Sequence, residues 1–80
     1  MKTFFSIREL EDGWDFNDFL EADGMAEDYC VSVLEIPQEY IKDIKLKNSY
    51  FEIELEKTKE YMHDDWYINL LRASELAKCA

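Results

Sequence analysis

Ile44-Lys45-Leu46-Lys47-Asn48-Ser49-Tyr50-Phe51-Glu52-Ile53-Glu54-Leu55-Glu56 alternates apolar and charged side chains on either side of a polar pair. Ile44 and Leu46 alternate with Lys45 and Lys47, and Phe51, Ile53 and Leu55 with Glu52, Glu54 and Glu56. A period of two is the signature of a strand with one buried face. Asn48 and Ser49 are turn formers. A two-residue loop there sets Leu46 opposite Phe51, Ile44 opposite Ile53 and Lys45 opposite Glu52. Every pair then matches in polarity, so the register is self-consistent. The stretch predicts a β-hairpin over 43–56.

Outward from the hairpin, Lys2 to Ile7 reads as a first strand, with Phe5 and Ile7 on one side and Phe4 on the other. Tyr29 to Ile36 carries Val31, Val33, Leu34 and Ile36 and is stopped by Pro37, which predicts a central strand apolar on both faces. Gln38 to Lys42 is expected to form a turn or a single helical turn. Thr58 is a suitable cap for a long helix from about Lys59 to Lys78. Met62, Trp66, Leu70, Ala73 and Ala77 would form its stripe, widened by Tyr67, Leu71 and Leu76. Arg72 and Lys78 lie toward its C-terminal end, as the helix dipole prefers.

Glu11-Asp12-Gly13 interrupts the pattern after the first strand. Two readings follow it. Trp14, Phe16 and Leu20 continue as a hairpin arm, or Asp12 caps a short helix near 14–23 that Gly24 ends. The helix is preferred, because Asp18 and Phe19 spoil the alternation. Phe16, Phe19 and Leu20 would then share its apolar face. The expected fold is therefore α+β: a small antiparallel or mixed sheet of about four strands, packed by a long C-terminal helix and a short helix near 14–23.

Eighty residues make a single domain, 1–80. With 48% hydrophobic residues, only two Gly and one Pro, most of the chain should be regular structure. Cys30 and Cys79 follow no metal or redox spacing, which predicts two free thiols in a reducing compartment. Met1 to Leu10 lacks the charged and apolar regions of a signal peptide. No stretch approaches the roughly 18 apolar residues of a membrane span. A cytoplasmic location is expected, a host's cytoplasm if the gene belongs to a phage.

Catalytic constellations are nearly absent, and no enzyme activity, cofactor or metal is expected. His63 is the only histidine, and on a helix His63, Asp64 and Asp65 would not converge. Counting a calcium loop from Asp15 puts Phe19 and Leu20 where a ligand and a glycine belong.

The charge distribution is less ordinary. Nineteen Asp and Glu face nine Lys and Arg, a formal net charge of −10. Between Glu9 and Asp28 lie Glu9, Glu11, Asp12, Asp15, Asp18, Glu21, Asp23, Glu27 and Asp28, with no Lys or Arg. Like charges about 6 Å apart repel by roughly 1–3 kcal/mol per pair before salt screening. Such an arrangement disfavours direct binding of nucleic acid or an anionic membrane and favours a basic protein surface. The partner-binding set expected from this is Glu11, Asp12, Trp14, Asp15, Asp18, Glu21, Asp23, Glu27 and Asp28, with the aromatic as anchor.

A row of carboxylates can stand in for nucleic-acid phosphates. In size and charge pattern alone, the chain is similar to small acidic phage proteins that inhibit host defence, including some anti-CRISPR and anti-restriction proteins; the likeness transfers no residues. It implies an inhibitor that covers the nucleic-acid-binding surface of a host protein. An immunity protein or antitoxin against a basic toxin uses the same electrostatics. A non-catalytic subunit of a larger assembly, with charge serving solubility, is the third reading.

Overall fold

The computed structural model describes residues 2–79, and side chains as far as Ser74. The elements run β1 (Phe4–Ile7), α1 (Phe16–Glu21), α2 (Met25–Ser32), one turn of 3-10 helix (Gln38–Tyr40), β2 (Ile41–Leu46), β3 (Phe51–Leu55) and α3 (Asp65–Cys79). This is a small α+β fold with a three-stranded antiparallel sheet and three α-helices among the described residues.

The hairpin has the register its side chains demand: Leu46 faces Phe51, Lys45 faces Glu52 and Ile44 faces Ile53. A bulge between Ile41 and Asp43 bends the start of β2. β3 is the middle strand, because β1 pairs with its other edge, Phe5 opposite Ile53 and Ile7 opposite Phe51. Phe5, Ile7, Phe51, Ile53 and Leu55 are all buried on one face. The other face carries Phe4, Glu52, Glu54, Asp43 and Lys45, and Phe4 is 56% exposed. Both larger helices cover the apolar face, α3 against β1 and α2 against β2.

The expected central strand at Tyr29–Ile36 does not exist, so the sheet has three strands rather than four. Residues 25–32 are helical instead, with Ala26, Tyr29 and Cys30 buried at helical spacing and Val33 half-buried one turn on. Gly24, at φ +85°, starts the helix, and Glu27 and Asp28 sit in its first turn, where the dipole favours acids. Val31 faces solvent. The chain leaves through Glu35, which is left-handed at φ +57°. The backbone N–H of Leu34 donates to the Tyr29 carbonyl and that of Ile36 to the Cys30 carbonyl. This turn drops Ile36 into the core.

The C-terminal helix begins at Asp65, six residues later than the reading from Lys59. Tyr61 is the reason. Its ring is fully buried, tilted against Trp66 and Tyr67, and its hydroxyl donates to the Glu56 carbonyl at 2.6 Å. The turns around it carry this side chain inward before the helix starts. Thr58 accordingly caps only a turn, its Oγ1 accepting from the Glu60 N–H. Asp64 holds the cap position, its carbonyl accepting from the Ile68 N–H. Met62 is exposed rather than part of the stripe, and His63 lies in the turn. The buried stripe of α3 is Trp66, Tyr67, Leu70 and Ser74. The side chains of Leu76, Ala77, Lys78 and Cys79 lie outside the described residues.

Candidate partner-binding surface

After β1 the chain crosses the end of the apolar sheet face before reaching α1. The Glu11 N–H donates to the Tyr29 hydroxyl at 3.2 Å, which ties the crossing to α2. Burial pushes the Tyr29 phenol above its ordinary pKa, while the Glu11 N–H donating to its oxygen pulls the other way. The Trp14 N–H donates back to the Glu11 carbonyl, closing a turn with Gly13 at φ +94° in its third place. A positive φ there is what a type II turn requires, and glycine meets it without strain.

That turn aims Trp14 inward. Its indole is half-buried, edge-on to Tyr29 at 5.1 Å and to Phe19 at 6.1 Å. Trp14 therefore spends much of its apolar surface on the chain's own core. Asp15, not Asp12, caps α1, its Oδ1 accepting from the Asn17 N–H at 2.9 Å. Ala22, not Gly24, ends that helix. Phe19 is buried and Phe16 half-buried, both against Phe51, whereas Leu20 is 52% exposed and leaves the face expected for it. With α1 only six residues long, one narrow stripe suffices to seat it. Leu20 is the large apolar side chain of the acidic stretch most open to a partner.

The carboxylates are displayed. Glu11, Asp12, Asp15, Asp18, Glu21, Asp23 and Asp28 are exposed, and Glu27 is half-buried with a hydrogen bond from the Gln38 side-chain amide. Among the described residues none of them forms an ion pair. The ion pair those residues do contain is Lys42–Glu54, at 3.5 Å, on β2 and β3. Two further cations lie over aromatic rings, Lys2 over Phe5 and Arg8 over Tyr50 at 4.3 Å. The described bases thus leave the acids of residues 9–28 without an ion pair.

Among the described residues no three His, Cys, Asp or Glu side chains group as a metal site. No helix among them is long and apolar enough to cross a membrane. Comparison of the chain with protein-family models, with curated proteins and with solved structures finds no match.

Proposed function

We propose that this chain is a small acidic inhibitor that binds the basic, nucleic-acid-binding surface of another protein, of the anti-CRISPR or anti-restriction kind, acting in the cytoplasm of the host cell. One observation carries the reading: seven exposed carboxylates and one half-buried one between Glu11 and Asp28, none in an ion pair among the described residues. A surface that holds so much unneutralised charge gains most from cations brought by another molecule. Electrostatic steering would make association fast and strongly salt-dependent. Exposed Leu20 supplies apolar contact within the acids, a part the sequence reading gave to Trp14.

The test is capture and competition. The full chain, immobilised, should retain a nucleic-acid-binding protein from a defence-proficient bacterial lysate, and added DNA should displace the chain from it. Reversal of Asp15, Asp18 and Glu21 to Lys should abolish both retention and inhibition. Recovery of only neutral or acidic proteins, or full function in the reversed variant, overturns the proposal.

A further inference from the structure

Between the α1–α2 connection and β2 runs a groove of about 160 Å³, lined by Phe19, Asp23, Gly24, Ala26, Glu27, Ile44 and Leu46. It is well below the roughly 300–1,000 Å³ of a pocket for a drug-sized ligand. It suits one long side chain. Its apolar part comes from three separate elements, Phe19 on α1, Ala26 on α2 and Ile44 and Leu46 on β2, and Leu46 is 41% exposed. Its charges come from Asp23 and Glu27, and among the described residues no Lys or Arg lines it.

An apolar trough edged by two carboxylates is complementary to an aliphatic stem with a cationic head. We infer that this groove receives a single lysine side chain of the basic partner, its methylenes on Ala26, Ile44 and Leu46 and its ammonium between Asp23 and Glu27. The inference rests on the proposed binding of a basic surface and names where one of its cations enters.

Lysine fits better than arginine because of Glu27. One Glu27 oxygen already accepts from the Gln38 amide. A guanidinium gains most from both oxygens of a single carboxylate, whereas an ammonium directs three donors outward and can take one oxygen from each of two acids. The dipole of α2 gives Glu27 an internal reason to be acidic. It acts less on Asp23, which precedes the helix, and gives no reason for an open Leu46 on the facing strand.

The test uses the whole chain and an octalysine peptide as probe, followed by amide and methyl NMR at low salt. Saturable shifts are expected at Asp23, Gly24 and Glu27 and at the methyls of Ala26, Ile44 and Leu46, with nuclear Overhauser contacts from lysine methylenes to Leu46. D23N/E27Q and, separately, Leu46→Ser should each weaken binding, the former by roughly fivefold, as expected for two charge contacts at the surface. Glu56→Gln with Asp65→Asn, two exposed acids outside the acidic stretch, should leave the groove methyl shifts in place. If octalysine binds but the groove methyls stay still, the groove assignment fails and the acidic-surface reading stands. If octalysine does not bind the wild-type chain at all, both fail. An equal methyl response to octa-arginine overturns the choice of lysine.

Discussion

Cys30 is fully buried in α2, and its thiol is pushed up to about 12, first by burial and then by the nearby Glu27 carboxylate. A thiol held protonated is a poor nucleophile, so the residue serves the core. Its folded pKa is raised above the ordinary value of 9, so its contribution to stability is complete below about pH 9 and is lost as pH rises toward 12. The shift corresponds to a loss on the order of 4 kcal/mol across that window. Melting curves of wild type and Cys30→Ala between pH 8 and 11 check this: wild type should lose stability faster, and parallel curves would refute it. Glu35 offers a test of the opposite sign. A non-glycine residue in the left-handed region costs roughly 1–2 kcal/mol, partly offset in glycine by a freer unfolded chain. Glu35, at φ +57°, is exposed, so Glu35→Gly is expected to stabilise by about 0.5–1 kcal/mol in urea denaturation.

At the scale of elements, the same chain was legible in one place and misleading in another. The hairpin could be read because Ile44, Lys45 and Leu46 each meet a partner within ten positions, and polarity alone decides the register. The run from Tyr29 to Ile36 misled because its β-branched residues belong to two structures. Val31 lies in the last turn of a helix whose buried positions, Ala26, Tyr29 and Cys30, begin before the run, and Ile36 enters the core from a loop. Reading from Gly24, with Glu27 and Asp28 as first-turn acids, would have exposed the period of 3.6 residues. The late start of α3 was less accessible, since Tyr61 fits a helical stripe as well as a buried plug. Its hydrogen bond to the Glu56 carbonyl and the packing of its ring on Trp66 and Tyr67 separate the two. The acidic stretch was visible directly, but the inward turn of Trp14 depends on rings from α2 and so lies beyond local pattern. Packing of α3 on the sheet carries a large share of the stability. Leu70, 1% exposed, sits at that contact, and Leu70→Ala should cost about 2–5 kcal/mol in denaturant unfolding. A domain of this size holds only roughly 4–12 kcal/mol in total, so the variant should be close to unfolding at 37 °C.

For the molecule as a whole, the governing quantity is the distance over which its charges sense one another. The chain extends 34 × 28 × 18 Å and carries a formal charge of −10. At 10 mM salt the screening length is about 30 Å, so each carboxylate is repelled by nearly all the others; at physiological salt it is about 8 Å, and only neighbours count. The acids of residues 9–28, none in an ion pair among the described residues, should make this difference measurable. Raising NaCl from 10 to 150 mM is expected to stabilise the fold by about 1 kcal/mol, seen as a rise of roughly 4–8 °C in Tm. The same change should weaken association with a basic partner, because screening that relieves repulsion within the chain also removes attraction between chains. Opposite responses of folding and binding to one variable distinguish a docking charge from a charge tied up internally. A Tm that falls with added salt would mean that ion pairs within the fold dominate. Asp18→Asn with Glu21→Gln and Asp23→Asn should flatten both responses together, since the side chains of these exposed residues cap neither end of α1 and are replaced by ones of nearly the same shape.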